Sequence, residues 1–265
     1  MNELNICPLC KSSKISKNLQ TNTFEIYVCY RCKIAFTNPE PTIPAYEEMD
    51  FHSKNDPENY DKITTKKDLA FDWGKLIDMQ TNMISTNFNK ESAILEIGCG
   101  EGILLAELKE NFFKNLKGYE PSRTAAVRAQ KRNIEVVNDY FSTKLEHQKY
   151  DLVMMSHVFE HIKNIGDFLQ QITNVLKENG SLMLTQTNYK GLIPRLQKED
   201  WYAWVPDQHF WHFTPQSLKN ILKENNFKVT QLNFCSLVHP HNLLYKIAKK
   251  IPSIQDQFIL LATKN

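Results

Sequence analysis

The feature that most constrains the fold is the regular alternation of apolar runs and helical segments from Ser92 onward. Short apolar runs bounded by turn residues predict buried strands, and the amphipathic stretches between them predict helices. This alternation is typical of a parallel sheet covered by helices on both faces. We predict strands at 93–97, 116–119, 134–137, 150–155, 181–186, 228–234 and 257–263, and helices near 103–113, 122–132 and 165–177.

Length and charge limit the class of protein. A chain of 265 residues with 42% hydrophobic content can form one enzyme-sized domain and a small additional module. The 32 Lys and Arg residues against 30 Asp and Glu residues create no global field, which disfavours nucleic acid or membrane as the general partner. The first residues lack an export signal, and no apolar run is long enough to cross a bilayer. We therefore expect a cytoplasmic protein without a transmembrane segment.

Four of the six cysteines form two closely spaced pairs, Cys7 with Cys10 and Cys29 with Cys32, joined by a hairpin predicted around 24–28. Cytosolic thiols are kept reduced, so this spacing indicates a metal site rather than disulfides. Four thiolates close a tetrahedral shell, which predicts a structural Zn²⁺ in a ribbon over 1–40. A redox dithiol is the alternative, but such motifs occur singly where a strand meets a helix.

Two further segments read as helical outside the predicted sheet. After the prolines at Pro39 and Pro41, helices predicted over 44–51 and 56–88 form a linker or lid (41–90) expected to cover one edge of the pocket. Leucines and lysines over 239–252 recur at helical spacing. That pattern is compatible with weak docking on a membrane surface or with an ordinary packed surface helix.

The stretch from Ile94 to Gly102 reads as a strand, a glycine-rich turn and a helix start. Glycines let the backbone approach a bound nucleoside, and the helix terminus adds N–H donors, although dinucleotide enzymes use similar turns. Glu120 ends the second predicted strand, where a carboxylate can accept hydrogen bonds from both ribose hydroxyls. A surface acid at a strand end is the alternative. Together the two features predict a nucleoside site.

The segments 96–102 and 118–122 resemble the first two motifs of class I S-adenosylmethionine-dependent methyltransferases. Residues 138–140 lie where that family places an acidic residue against the adenine amino group, and 151–162 looks like its fourth-strand motif beside the methionine. The resemblance implies a Rossmann-like domain over 91–265, with a seven-stranded, mostly parallel sheet and S-adenosyl-L-methionine as cofactor. The cofactor-binding residues that it implies are Glu96, Gly98, Cys99, Gly100, Gly102, Glu120, Pro121, Asp139, Tyr140, Ser156 and His157.

Several of these positions have other interpretations. Asp139 follows an asparagine, a pair also common in turns, and Cys99 is interpreted as a small packing residue rather than a nucleophile. The spacing of His157, Glu160 and His161 matches a peptidase motif, but that motif belongs on a helix and this segment follows a strand. Some quinone-directed O-methyltransferases hold magnesium here with an acidic and a His side chain. This sequence has His157 where those enzymes carry a carboxylate, and histidine is a poor magnesium ligand. We therefore favour a cofactor-contacting or capping role for this segment over a metal site.

The segment 188–213 is long and aromatic, and ligands of open α/β sheets bind beyond the carboxyl ends of the strands. It is therefore predicted to overhang the transferable methyl group. An alcohol acceptor must lose a proton, so His209 is the first candidate base, His212 the second, and Asp207 could orient either ring. Alternatively His209 packs against the helix starting at 214–218. The aromatic residues Trp201, Tyr202 and Trp204 could stack on a sugar or base, or pack over the cleft.

Residues 26–39 are similar to the ribbon of bacterial methyltransferases encoded with surface-polysaccharide and deoxysugar pathways, and 206–215 resembles the His-containing loop of that group. The resemblance implies a small hydroxylated acceptor, such as a nucleotide-activated sugar or a glycan precursor. Some zinc-containing relatives are sugar C-methyltransferases with a large C-terminal domain. The short stretch after the predicted sheet favours O-methylation.

Two other functions stay open. An RNA methyltransferase guided by its zinc module is compatible with the basic residues of the ribbon, although they form no dense stripe: Lys11, Lys14, Lys17, Arg31 and Lys33. An inactive scaffold with a methyltransferase fold is the third hypothesis. The intact glycine turn and Glu120 argue against it. Oligomeric state is not indicated by the sequence.

Overall fold

The computed structural model describes residues 5–20, 24–42, 65–68, 73–144, 146–237, 251 and 254–265. Two sheets organise this part of the chain, one of seven strands and one of four. The helix predicted at 44–51, much of the segment 56–72 and nearly all of the amphipathic stretch 239–252 lie outside the described residues.

The described elements follow the alternation that the sequence predicts. The strands are β1 (Ile15–Gln20), β2 (Glu25–Cys29), β3 (Ala35–Asn38), β4 (Ala93–Ile97), β5 (Asn115–Tyr119), β6 (Glu135–Val137), β7 (Tyr150–Ser156), β8 (Leu176–Thr187), β9 (Trp211–His212), β10 (Phe227–Cys235) and β11 (Gln257–Lys264). The α-helices are α1 (Trp73–Asn87), α2 (Ile103–Glu110), α3 (Arg123–Lys131), α4 (Ile165–Val175), α5 (Leu192–Gln197) and α6 (Pro215–Glu224). Short 3-10 turns lie at Lys66–Asp68, Phe159–His161 and Lys198–Asp200.

The large sheet has the strand order β10-β11-β8-β7-β4-β5-β6. Its pairs are parallel from β8 through β6, whereas β11 runs antiparallel to both β8 and β10. Every residue of β4 is buried, as expected for a central strand covered on both faces. The predicted Rossmann-like, seven-stranded and mostly parallel sheet is thus confirmed. The carboxyl ends of β4, β5, β7 and β8 meet at one edge.

Some element boundaries differ from the prediction for local reasons. The helix predicted over 103–113 ends at Glu110, because Phe112 takes a left-handed backbone with φ of 67°. The helix predicted to reach 177 ends at Val175, because Leu176 already pairs with Tyr150 of β7. Such shifts of a few residues leave the topology unchanged.

The small sheet contains a strand that the sequence did not predict. Its order is β1-β2-β3-β9, so the predicted hairpin of β1 and β2 is extended by β3 and then by two residues of the aromatic segment. In this last pair Ala35 lies opposite His212 and Phe36 opposite Trp211. A two-residue strand has no periodicity to detect. The ribbon therefore shares one sheet with the segment 188–213, which is called the acceptor-side segment below.

Packing reinforces this junction. One apolar cluster joins the face of the small sheet to the segment after β8, and its buried members are Ile26, Val28, Ala35, Tyr189, Ile193, Trp201, Ala203 and Trp204. A separate apolar cluster joins α1 to the large sheet through Leu76, Ile77 and Ile84. None of the described helices is long and apolar enough to span a membrane.

Candidate active site

The turn between β4 and α2 holds three glycines in left-handed backbone, with φ of 70° at Gly98, 52° at Gly100 and 71° at Gly102. A Cβ on Gly98 would lie 2.4 Å from Cγ2 of Val158, and one on Gly102 would lie 2.8 Å from Cβ of Ala129. A Cβ on Gly100 would meet nothing within 4 Å. Packing thus requires two of the glycines, whereas Gly100 presents its backbone to open space, where a ligand can approach closely.

Two buried carboxyl groups flank this turn. Glu120, 2% exposed, accepts hydrogen bonds from the backbone N–H groups of Gly100 and Ser122, each at 2.8 Å. Burial raises the pKa of the Glu96 carboxyl well above its ordinary value, and the neighbouring Glu120 adds to the shift. The Oε2 atom of Glu96 is buried without a hydrogen-bond partner. Such an oxygen beside an open turn suits a ligand that carries N–H or O–H donors.

Cys99 fills space behind the turn. A Cβ on Gly118 would lie 2.5 Å from its sulfur, so strand β5 and the cysteine side chain are in close contact. Burial raises the pKa of the Cys99 thiol well above its ordinary value, which keeps it protonated. These observations favour the packing role over a nucleophilic one.

The residues predicted to face adenine lie at the end of β6. Asp139 is exposed, and its Oδ1 accepts a hydrogen bond from the backbone N–H of Tyr140 at 2.7 Å. Asn138 donates to the backbone carbonyls of Glu120 and Pro121 at 2.9 and 3.0 Å. These two hydrogen bonds connect the end of β6 to the end of β5. Tyr140, at the same strand end, is 58% exposed.

The end of β7 contacts α1. Gln80 donates hydrogen bonds to the hydroxyls of Ser156 at 3.2 Å and Thr185 at 2.7 Å. His157 has left-handed backbone with φ of 54°, and its ring packs edge-on against Trp73 with 5.2 Å between centroids. Helix α1 therefore contacts the ends of β7 and β8 at this edge of the sheet. Gln80 was not singled out, although a polar residue within an apolar helix face was a usable signal.

The structure brings Glu160 and His161, from the turn after β7, together with His209 from the segment 188–213. One ligand-capable atom from each lies within 4.8 Å of the others. The rings of His161 and His209 are edge-on with centroids 4.7 Å apart. Gln186, at the end of β8, donates to Oε2 of Glu160 at 2.7 Å. Sequence analysis named His209 but did not foresee that Glu160 would be the carboxylate beside it.

Burial sets the charges in this cluster. It lowers the pKa of His209 to about 3, and the nearby His161 adds to the effect, so the ring is neutral. Burial alone would raise the pKa of Glu160, but the contact with His157 and the proximity of His209 lower it below its ordinary value. A neutral imidazole and an ionised carboxylate therefore face each other in a buried setting.

His212, the second candidate base, lies behind His209 against the ribbon. Its Nε2 is 3.2 Å from the hydroxyl of Thr37, and Trp204 packs edge-on at 4.8 Å. Burial and the nearby His209 lower the pKa of His212 well below its ordinary value. Asp207, predicted to orient one of these rings, is exposed and makes no hydrogen bond or ion pair among the described residues. The turn at 206–208 points its carboxylate to solvent, which corrects that expectation.

The aromatic residues of the acceptor-side segment are mostly used in packing. Trp201 and Trp204 are 2% and 5% exposed within the cluster against the ribbon, with rings edge-on at 5.1 Å. Tyr202 is 45% exposed, and its hydroxyl contacts Asp256. Of the two roles considered for these rings, packing accounts for both tryptophans.

The four predicted cysteine ligands converge at the other end of the small sheet. One atom from each of Cys7, Cys10, Cys29 and Cys32 lies within 4.8 Å of the others. After each pair comes a left-handed residue, Lys11 or Lys33, whose N–H bonds the carbonyl of the first cysteine of the pair at 2.9 Å. Two matching turns with four thiol donors can hold a tetrahedral Zn²⁺.

Comparison with known proteins assigns the family. Residues 74–232 match the family described as a methyltransferase domain. The ubiquinone biosynthesis O-methyltransferase of Bradyrhizobium diazoefficiens is 29% identical over 167 residues, which cover 57% of this chain and 64% of that protein. That of Rickettsia typhi is 28% identical over 153 residues, covering 52% and 61%. The chain thus spans less than two thirds of the length of these curated relatives.

Solved structures show the same fold. An S-adenosylmethionine-dependent methyltransferase from Thermotoga maritima matches 83% of this chain and 99% of its own, with a TM-score of 0.56 and 16% identity. Magnesium protoporphyrin IX methyltransferase from Synechocystis, with bound S-adenosylhomocysteine, matches 72% and 83%, with a TM-score of 0.54 and 15% identity. The family match covers more than half of the chain and includes the glycine turn and its flanking acids. The chain therefore belongs to the methyltransferase-domain family.

Proposed function

We propose that this enzyme transfers the methyl group of S-adenosylmethionine to a hydroxyl oxygen of a small, sugar-like acceptor. The observation that carries the proposal is the group of Glu160 and His209, both buried, with the half-buried His161, at the sheet edge that also carries the glycine turn. An alcohol must lose its proton as the new oxygen–carbon bond forms. Imidazole and carboxylate groups beside the reacting oxygen can take that proton.

The cofactor is proposed to bind along the carboxyl ends of β4, β5, β6 and β7. The open backbone of Gly100 and the unpartnered oxygen of Glu96 support this placement. Glu120 is proposed to bind the ribose through its carboxylate, which the backbone N–H groups of Gly100 and Ser122 hold at the end of β5. The remaining members of the proposed site are Gly98, Cys99, Gly102, Pro121, Asp139, Tyr140, Ser156 and His157.

Proton removal is proposed to use the cluster as a unit. His209 is the first candidate base, but with a pKa near 3 its ring alone holds a proton weakly. The carboxylate of Glu160 beside it stabilises an imidazolium, and His161 is the less buried partner through which the proton can move. His212 is bound to Thr37 and is proposed to support the segment rather than to react.

We also propose a division of the chain into three parts. Residues 1–40 are proposed to form a structural zinc ribbon, 41–90 a linker and lid, and 91–265 the methyltransferase domain with the acceptor-site insertion 188–213. The convergence of the four cysteines supports the zinc. Metal analysis should find zinc in the purified protein and a loss of that zinc in the Cys10→Ser variant.

A cleft between the ribbon and the segment after β8 supports a phosphorylated, sugar-like acceptor. It has a volume of about 560 Å³, and its wall contains three cations and one carboxylate: Lys190, Arg195, Lys198 and Glu199. None of the three makes an ion pair with another described residue. Unpaired cations are suited to phosphate groups, such as those of a nucleotide-activated sugar.

A phenolic acceptor is the second candidate, because the curated relatives are named as O-methyltransferases of ubiquinone biosynthesis. Flat rings are commonly bound between aromatic side chains. All three tryptophans of the segment 188–213 are buried: Trp201, Trp204 and Trp211. Because these rings are used in packing, the sugar-like acceptor is favoured over the phenol.

The test is transfer of labelled methyl from S-adenosylmethionine into a bacterial extract separated into nucleotide-sugar and glycan precursors, quinone precursors, and RNA. The Glu120→Ala variant is the control for cofactor-dependent label. Label in the sugar pool supports the proposal, and label in the quinone pool selects the phenolic acceptor. Label in RNA would overturn both small-molecule proposals.

A further inference from the structure

The second cysteine turn of the ribbon, 29–34, leads directly into the strand that pairs with the acceptor-side segment. Cys29 ends β2, and its backbone N–H donates to the carbonyl of Ile34 at 2.9 Å. The next residue, Ala35, begins β3 and lies opposite His212 of β9. The position of β3 therefore depends on the conformation of a turn that carries two of the four cysteines.

A side-chain hydrogen bond connects the same turn to the start of the acceptor-side segment. The hydroxyl of the buried Tyr189 donates to the carbonyl of Lys33 at 3.2 Å. The backbone N–H of Lys33 donates to the carbonyl of Cys29 at 2.9 Å, which closes the cysteine turn. The backbone N–H of Tyr189 donates to the carbonyl of Phe213 at 3.2 Å. The cysteine turn is thus bonded to the residue at which the two ends of the segment meet.

Strand β3 extends this connection to His209. The hydroxyl of Thr37 donates to the carbonyl of His209 at 2.7 Å, and the backbone N–H of Thr37 donates to the carbonyl of Phe210 at 3.1 Å. Thr37 is buried, so these bonds are not readily replaced by bonds to water. They exist only while β3 is in place, and the candidate base is therefore positioned in part from the ribbon.

The ribbon shares its apolar core with the rest of the protein. Its buried apolar side chains belong to clusters that other parts of the chain complete: Ile26, Val28, Ile34, Ala35 and Phe36. A module this small needs a metal or another covalent link to hold its turns. In structural zinc sites, the free energy of metal binding is free energy of folding.

We propose, resting on the zinc site of the proposed function, that binding of zinc to the four cysteines holds the acceptor-side segment in place, whereas the cofactor turn keeps its structure without zinc. The ion joins the turn 29–34 to the first cysteine turn. Its loss frees the turn 29–34, and the bonds from Tyr189 to Lys33 and from Thr37 to His209 are lost with it.

The cofactor turn is held from a different part of the chain. The backbone N–H of Gly98 donates to the carbonyl of Tyr119 at 2.8 Å, and that of Gly100 donates to the carboxylate of Glu120 at 2.8 Å. Both partners lie at the end of β5, within the large sheet. Zinc thus controls one half of the site and not the other.

The first experiment removes zinc from the full chain with a chelator, with metal analysis to follow the loss. Three of the four tryptophans lie in the acceptor-side segment: Trp201, Trp204 and Trp211. We expect their emission to shift to the red and their quenching by acrylamide to increase, because the buried rings become exposed. Added Zn²⁺ should reverse both changes. The affinity for S-adenosylmethionine, measured by calorimetry, should change by no more than about twofold.

The second experiment tests the coupling from the other side, because coupling between two sites is reciprocal. Tyr189→Phe removes the hydroxyl bonded to Lys33 but leaves every cysteine in place. Zinc should pass to a chelator about fivefold faster than in the wild type, the value of one lost hydrogen bond. Tyr30→Phe is the matched control, because its exposed hydroxyl bonds Ser16 within the ribbon at 2.8 Å. It should release zinc at the wild-type rate.

Three results would overturn the coupling. They are unchanged tryptophan emission after complete loss of zinc, equal zinc release from the wild type and Tyr189→Phe, and loss of cofactor binding together with zinc, since the ion would then hold the whole fold. Neither experiment needs a methyl acceptor, so these failures are distinct from a failure to detect methyl transfer. Absence of zinc from the purified protein would contradict the zinc site itself.

Discussion

The proposed cofactor side and the proposed acceptor side of this protein are built in different ways. On the cofactor side, the glycine turn follows β4 directly, and Glu120 binds the N–H of Gly100, twenty residues away in the chain. On the acceptor side, Thr37 of the ribbon donates to the carbonyl of His209, 172 residues away. Local segments thus build the first half, and long-range pairing builds the second. Changes on the acceptor side should therefore alter methyl transfer while they spare the cofactor.

The largest effect is expected from His209→Ala. Methyl transfer should fall by about a hundredfold or more, because the variant removes one of the three groups beside the acceptor oxygen. The affinity for S-adenosylmethionine, measured by calorimetry, should stay at the wild-type value. His147→Ala serves as the matched control on the surface. Turnover near the wild-type rate in His209→Ala would instead assign this histidine to packing.

The converse change is Glu120→Ala on the cofactor side. It should weaken binding of S-adenosylmethionine by about 1.5 to 3 kcal/mol, because charge-assisted hydrogen bonds are lost. Calorimetry measures this directly. Since Glu120 also accepts from Gly100 and Ser122, the melting temperature should fall as well. Unchanged cofactor affinity would remove Glu120 from the proposed ribose site.

A smaller effect is expected at the junction of the ribbon with the acceptor side. Thr37→Val keeps the shape of the side chain but removes the hydroxyl that lies 2.7 Å from the carbonyl of His209 and 3.2 Å from Nε2 of His212. Methyl transfer should fall by about three- to tenfold, the value of a lost hydrogen bond. Thr37→Ser should restore it. If both variants turn over like the wild type, the ribbon supports the segment through apolar packing alone.

Periodicity and motif spacing predicted most of the fold. The strands from 93 to 186, the two final strands and the pairs of cysteines all follow from local patterns, because apolar alternation and turn residues act over a few neighbours. Helix ends were predicted less accurately where the backbone conformation of a single residue decides them, as at Phe112 after α2. The glycine turn was recognisable because left-handed backbone at Gly98 and Gly102 leaves few alternatives to glycine.

The candidate acceptor site was only partly predictable. His209 could be named from the sequence as a titratable group in an aromatic segment, but its neighbours could not. Asp207 was the nearest carboxylate in the chain, whereas Glu160 is the one beside it in space. Sequence proximity is a poor guide here because the 206–208 turn directs Asp207 outward, while pairing of β3 with β9 and the Phe210 hydrogen bond bring His209 to Glu160.

The sequence by itself determined the parallel sheet, the glycine turn with its acidic partner, and the four-cysteine module, because each depends on residues close together in the chain. Tertiary structure alone decided that the ribbon contributes three strands to a sheet completed by β9, and that two histidines and a glutamate face one another. The reason is physical: a two-residue strand and a three-residue cluster carry no periodic signal. Their partners are selected only when the whole chain is packed.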